Sequence, residues 1–315
     1  MVASTREGPS SMFSRRHLLK WVLGGVGAVV VSGAAGVELV NHGVLPGKLY
    51  LVEIDGACSV ARPALVYGTL GPAMNGTFYS SARRRQVDYT IAYPPGHRPG
   101  DELALVAMLH GYGGNHTDAF ANMTPAQAAA LQVSVTSASS LAPIAVVTVD
   151  GGSGYWNWHP GDDPMSMVVD ELIPMCQARG LGRSAHGVGL MGISMGGYGA
   201  LAIAERYPDL IRAVAAISPA VWTSYDQARG ANAGAFASAA AFATNDVITH
   251  ASALSKSAVR VTSGADDPFH PGVVQFIKAL PTGNMSVVID PGCHTDPFFV
   301  SQEPASLAFL ATNLS

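Results

Sequence analysis

Charged side chains are scarce in this chain. Asp, Glu, Lys and Arg make up 13% of its 315 residues, and the net charge is −4. So few cations and a slightly acidic balance give a polyanion little to bind, so nucleic acid is not an expected partner. The one dense basic cluster, Arg83-Arg84-Arg85, reads as a solvated strand or turn face. Cysteine is scarce too. Cys58, Cys176 and Cys293 are the only three, and none has CxxC spacing, which argues against a zinc or thioredoxin-type motif. An odd count allows at most one internal disulfide and leaves one thiol over; the spacing does not say which pair is bridged. Apolar residues, by contrast, reach 48%, which excludes disorder from low hydrophobicity and makes a sizeable core easy to bury.

The N-terminus reads as an address. Ser14-Arg15-Arg16-His17-Leu18-Leu19-Lys20 precedes a Gly- and Ala-rich apolar run over 21–31, and small residues follow at 32–36. A basic start, an apolar middle and a small-residue end make a secretory signal. The paired arginines resemble the twin-arginine form. The run is short of the about 20 strongly apolar residues of a full span, but an uncleaved signal would leave a membrane tether. The expected organisation is a signal or anchor over 1–36, a loop-rich segment over 37–76 and the main folded domain over 77–315. The expected location is outside the cytoplasm.

Beyond residue 36, Gly and Pro punctuate the chain up to about residue 80, with short apolar runs at 49–54 and 65–67 as edge-strand candidates. Residues 86–93 alternate polar and apolar and stop at Pro94-Pro95-Gly96, as an antiparallel strand would. Near-continuous apolar strands are then expected at 103–109, 144–149, 188–191, 213–217, 259–262 and 286–289. Helices are expected at 124–131, 164–179, 196–207 and 304–312, with Asp163 as N-cap and Pro164 in the first turn of the second. Strands of this kind alternating with helices imply an α/β fold: a mostly parallel sheet flanked by helices, with ligands at the carboxyl ends of its strands. Nine of the sixteen residues over 228–243 are Ala, which reads as a small helical insertion near the site.

The chemistry centres on Gly192-Ile193-Ser194-Met195-Gly196-Gly197, between an expected strand and an expected helix. That is the context a G-x-S-x-G nucleophile turn requires, with Ser194 exposed above the sheet and glycines where the two backbones approach. A serine hydroxyl needs a base, and in this chain order the acid and then the histidine follow. His294 lies on a loop after a strand, in Pro291-Gly292-Cys293-His294-Thr295-Asp296. His250 precedes the acid candidates and His270 follows them too soon. Asp266 and Asp267 both follow the strand at 259–262. Asp267, directly before Pro268, is the preferred acid, and helix capping is the ordinary role for the other. Asp290 and Asp296 read as loop residues. The oxyanion donors expected are the backbone N–H groups of Met195 and of Tyr112, or alternatively Gly111, in the loop His110-Gly111-Tyr112-Gly113-Gly114. His110 is expected to orient that loop. Gly111, with Trp156 and His159 from the loop at 150–159, is assigned to substrate binding. His159, Asp162 and Asp163 superficially resemble a metal cluster, but Asp163 is accounted for as a cap. No metal or other cofactor is expected.

These pieces, together with Gly264-Ala265-Asp266-Asp267-Pro268-Phe269 and Gly292-Cys293-His294, resemble the esterase D-type putative esterases of the α/β-hydrolase fold. That family includes S-formylglutathione hydrolases, feruloyl and acetylxylan esterases and secreted mycolyltransferases. The resemblance spans about residues 77–312. It implies that the second aspartate of the Asp-Asp-x-Phe pattern, here Asp267, is the acid. The signal and composition resemble an actinobacterial exported member. The function implied is a serine esterase acting through an acyl-enzyme on an ester-containing small molecule, glycan or lipid. One alternative is a mycolyltransferase-type acyltransferase that passes the acyl group to a sugar or lipid hydroxyl. Another is a non-catalytic binding protein on the same scaffold. Gly196-Gly197 is the esterase-like form of the serine motif.

Overall fold

The computed structural model describes residue 58 and residues 60–315, apart from 118–119, 138, 140, 184–186 and 284. The expected signal at 1–36 and the apolar run at 49–54 lie outside the described residues. Among the described residues no helix is long and apolar enough to cross a membrane.

Eight strands run in chain order: β1 (Ala73–Ser80), β2 (Arg85–Ala92), β3 (Ala104–Leu109), β4 (Ile144–Val149), β5 (Val188–Ile193), β6 (Ile211–Ile217), β7 (Ala258–Gly264) and β8 (Met285–Asp290). They form one sheet in the order β1-β2-β4-β3-β5-β6-β7-β8. β1 pairs antiparallel with β2 and β2 antiparallel with β4; every pairing from β4 through β3 to β8 is parallel. The parallel strands β3, β4 and β5 are buried along their whole length, which is why their sequences run apolar without alternation.

Successive residues of these strands feed two cores. Leu105, Ala107 and Leu109 face a cluster with Val168, Ile173, Leu201 and Phe276. Ala104, Val106 and Met108 face a second cluster with Ala128, Leu307 and Leu310. The helices supplying the two covers are α1 (Pro125–Thr136), α2 (from Pro164–Ser166 through a π-helical stretch Met167–Leu172 into Ile173–Gln177), α3 (Met195–Arg206), α4 (Tyr225–Ala231), α5 (Ala239–Thr244), α6 (Val247–His250), α7 (His270–Ala279) and α8 (Asp296–Leu314). α1 and α8 cover one face, and α2, α3 and α7 the other. Thr124 opens α1 with a reciprocal capping box to Gln127. The Asp163 side chain accepts from the Ser166 N–H and caps α2, and the π turn of α2 precedes Pro174, which has no N–H to donate. The Ala-rich segment folds into α4 and α5.

Three elements depart from the sequence reading. Asn75-Gly76, read as part of a loop, lies inside β1, where the missing Cβ leaves room for the Tyr89 ring on β2. Residues 65–67 are irregular rather than a strand; Leu65 and Tyr67 bury themselves by packing on the second core instead of by pairing. α8 begins at Asp296, not at Pro304. Pro297 sits in its first turn and Pro304 lies inside the helix, where Phe298, Val300, Leu307 and Leu310 hold it to the sheet despite the lost hydrogen bond.

Candidate active site

All the chemistry-bearing loops leave the carboxyl ends of strands, as the topology requires. Ser194 follows β5 and directly precedes α3, with φ 55° and ψ −118°. A non-glycine residue at that φ is strained, and its neighbours hold it there. The Ser194 N–H donates to the Ile217 carbonyl at 3.0 Å, and the Ser194 carbonyl accepts from Ala220 N–H at 2.9 Å and Tyr198 N–H at 3.0 Å. The turn closes only because of glycine. A Cβ on Gly192 would lie 2.1 Å from the Gly196 carbonyl oxygen, and one on Gly196 would lie 1.9 Å from that of Leu109.

Ser194 and Asp267, 100 and 27 residues from His294 in sequence, form one hydrogen-bonded chain with it. His294 Nδ1 lies 2.8 Å from Asp267 Oδ2, and His294 Nε2 lies 2.7 Å from Ser194 Oγ. A carboxylate only accepts, so Nδ1 carries the proton and donates it to Asp267; Nε2 is then the acceptor for the Ser194 hydroxyl. The Asp267 side chain is fully buried and that of His294 is 14% exposed. The other Asp267 oxygen accepts the Phe269 N–H at 2.8 Å, so this carboxylate is fixed by its own turn as well as by the histidine. Asp266 makes no hydrogen bond to His294 and does not cap α7; its backbone N–H donates to the Gly292 carbonyl at 3.0 Å and ties the two loops together. Phe269 and Phe299 pack edge-on against the imidazole, with ring centroids 4.9 and 5.0 Å away.

The loop after β3 lies over Ser194: a Cβ on Gly111 would be 3.7 Å from that of Ser194. His110 is buried and sets this loop. Its Nε2 accepts the Gly151 N–H at 2.9 Å, which leaves the proton on Nδ1, 2.7 Å from the Gly111 carbonyl it donates to. The Gly111 carbonyl also accepts from the Gly114 N–H at 3.1 Å. With that carbonyl turned toward His110, the N–H of Tyr112 in the same planar peptide points the opposite way. Met195, the first residue of α3, carries one of the N–H groups that a helix start leaves without an intrahelical partner.

These residues line a cleft of about 640 Å³ that contains Gly111, Tyr112, Ser194, Trp222, Phe269 and His294. Trp156 and His159, expected at the substrate, do not line it. The Trp156 ring is fully buried, wedged against His110 and the backbone of Gly199, with its Nε1–H donating to the His110 carbonyl at 3.2 Å. His159 closes its own turn through the Gly154 carbonyl at 2.9 Å. The aromatic that reaches the cleft from this loop is Tyr155, which burial pushes up to about pKa 12. Tyr155 and Trp156 both have φ 55°, and this double left-handed turn, invisible to pattern reading, swaps which ring faces the cleft. Asp162 is engaged by Arg83 at 2.6 Å and Arg85 at 3.1 Å. Among the described residues no three His, Cys, Asp or Glu side chains are grouped as metal ligands.

A family model described as Putative esterase matches residues 80–271, more than half of the chain. The chain belongs to the putative esterase family. As a member it is a serine carboxylic ester hydrolase, and its solved structural relatives carry the same fold. A ferulic acid esterase, 18% identical, superposes with a TM-score of 0.62 over 78% of this chain and 99% of its own. An S-formylglutathione hydrolase from Agrobacterium tumefaciens, 18% identical, gives 0.62 over 81% and 99%. FphF, a fluorophosphonate-binding serine hydrolase of Staphylococcus aureus, is 14% identical and gives 0.59 over 77% and 99%. No curated protein matches the chain by sequence.

Proposed function

We propose that this esterase works outside the cytoplasm through an acyl-enzyme on Ser194, with His294 as base, Asp267 as its orienting acid, and the Met195 and Tyr112 N–H groups as oxyanion donors. The observation that carries the reading is the Asp267–His294–Ser194 hydrogen-bond chain, 2.8 and 2.7 Å long. The Ser194 hydroxyl gives its proton to His294 Nε2 as Oγ attacks the ester carbonyl carbon. Asp267 stabilises the imidazolium that forms. The carbonyl oxygen takes the negative charge and the two backbone donors receive it. Collapse expels the alcohol, which takes the proton from His294, and leaves the acyl group on Ser194. A water then gives its proton to His294 and attacks the acyl carbon. The free acid departs and Ser194 regains its proton.

Export is supported by the paired arginines and apolar run at the N-terminus, and by the Cys58–Cys293 disulfide, a bond that persists in oxidising compartments. Retained, the same N-terminal segment would serve as a membrane tether. Cell fractionation of the full chain and of an Arg15→Lys, Arg16→Lys variant tests this: the variant is expected to stay in the cytoplasm.

The catalytic reading is tested with a fluorophosphonate probe and a neutral ester. Wild type is expected to label and to release free acid, including when sugar or lipid hydroxyls are supplied as acceptors. Ser194→Ala is expected to lose labelling and to lower kcat by roughly 10⁴-fold or more. A folded wild type that neither labels nor hydrolyses esters would overturn it.

A further inference from the structure

The charge carried by the cleft lining around Ser194 is of one sign, with a nearby guanidinium, that of Arg62, held outside the lining on the Ala121 carbonyl at 2.7 Å. The lining holds one carboxylate, Asp296, and no lysine or arginine; the other titratable side chains there are His294 and the phenols of Tyr112 and Tyr155. Asp296 is exposed and is the first residue of α8, two positions after His294, so it stands at the mouth beside the base. No hydrogen-bond donor or cation is bonded to its side chain among the described residues. Four aromatic residues contribute to the wall: Tyr155, Trp222, Phe269 and Phe299 present ring surface beside small residues and the amides of Asn122 and Asn232, and Trp222 meets Phe269 edge-on at 4.7 Å. Aromatic rings and a nearby carboxylate together attract alkylammonium groups and repel carboxylates and sulfonates.

We propose that Asp296 selects the charge of the substrate, favouring esters with a cationic or neutral group near the scissile bond and disfavouring anionic ones. This rests on the esterase reading above and adds to it a substrate class. The same field acts after the reaction: the released acid ionises beside Asp296 and is pushed out of the cleft. The competing account is that Asp296 serves only its helix, as a negative group in the first turn opposing the positive helix end. The two differ in what they predict for the variant.

The test uses the intact enzyme and three acetate esters of matched size: choline, its uncharged isostere 3,3-dimethylbutanol, and 3-sulfopropanol. A second pair, 4-nitrophenyl hemisuccinate and 4-nitrophenyl pentanoate, places the charge on the acyl side. In wild type, kcat/KM is expected to fall from the cationic to the neutral to the anionic ester, by roughly three- to tenfold across the alcohol series at low salt, and to converge at high salt. In Asp296→Asn the ratios are expected to collapse toward one, and in Asp296→Glu to recover. A flat series in wild type, or ratios unmoved in Asp296→Asn while its Tm falls, overturns the proposal and leaves the esterase reading standing. Failure to turn over any of the five esters overturns that reading, and this inference with it.

Discussion

Cys58 is disulfide-bonded to Cys293, the residue immediately before His294. The bond spans 235 residues and ties the start of the described chain to the loop that carries His294. Beside it, Val60 and Phe298 close on Gly292, whose φ of 146° is open to glycine and strained for other residues. The bridge therefore serves the site as well as the fold. Its loss is expected to destabilise the protein by about 2–5 kcal/mol. Cys58→Ser is expected to melt about 5–15 °C lower than wild type, the scale for a domain of this size. It should also lower kcat several-fold below its Tm, because His294 loses a fixed neighbour. Calorimetry and ester turnover with and without reductant check both; identical Tm and kcat in the two redox states would refute them.

The two adjacent aspartates separate cleanly in the structure. Asp267 is buried and bonded to His294, whereas Asp266 is partly exposed and contributes a backbone hydrogen bond. Asp267→Asn is expected to cost about 10³–10⁴ in kcat, since an amide at that place no longer enforces the Nδ1–H tautomer. Asp266→Asn is expected to stay within about threefold of wild type. Steady-state kinetics on a neutral ester decide this, and comparable losses in the two variants would reassign the acid.

Much of this site could be read from local chemistry. Ser194, Asp267 and His294 each sit in a turn whose glycines and prolines mark the end of a strand, and a parallel sheet brings strand ends together. What was not legible depended on direction rather than residue type. Trp156 and Tyr155 are neighbours of similar character, and only the left-handed turn they share decides that the tyrosine faces the cleft. Asp296 reads as a loop residue because it lies too near His294 in sequence to be its acid, yet the helix expected from Pro304 begins eight residues earlier and carries Asp296 to the cleft. The Cys58–Cys293 pairing is a long-range contact that spacing could not supply. β1 was missed because half-exposed edge strands hide their alternation and Asn75-Gly76 imitates a turn.

Two buried carboxyl groups make stability depend on pH. Burial pushes Glu205 up to about pKa 9, with Asp246 adding to it. Burial likewise pushes Glu303 up to about 8, with Arg62 opposing and Asp296 adding. Oε1 of Glu205 and both carboxyl oxygens of Glu303 are without hydrogen-bond partners. Each side chain is held protonated in the folded state across a range in which the unfolded chain has released the proton. The folded state thus binds more protons, and stability falls as pH rises from about 4.5 to about 9. Urea unfolding between pH 5 and 9 is expected to show the decline in wild type and a flatter profile in Glu205→Gln, Glu303→Gln. An unchanged slope in the double variant would assign the pH dependence to other groups.

The closeness of Gly196 to the end of β3 and the 110–114 loop sets the sharpest expectation for a single methyl group. A Cβ there would meet the Leu109 carbonyl oxygen at 1.9 Å and that of His110 at 2.7 Å, and both are backbone atoms that cannot rotate aside. Relief requires α3 to move away from the end of β3, which separates Ser194 from the 110–114 loop. Gly196→Ala is therefore expected to cost more than about 3 kcal/mol, the range reserved for overpacking and strain. Gly113→Ala is the control. Its φ is +76° but nothing lies within 4 Å of an added Cβ, so only the left-handed backbone penalty of about 1–2 kcal/mol applies. Urea unfolding ranks the two, and the fluorophosphonate labelling rate of the folded fraction reads the displacement of Ser194. Equal stability losses, or normal labelling by folded Gly196→Ala, would mean that the turn tolerates a wider approach than its geometry implies.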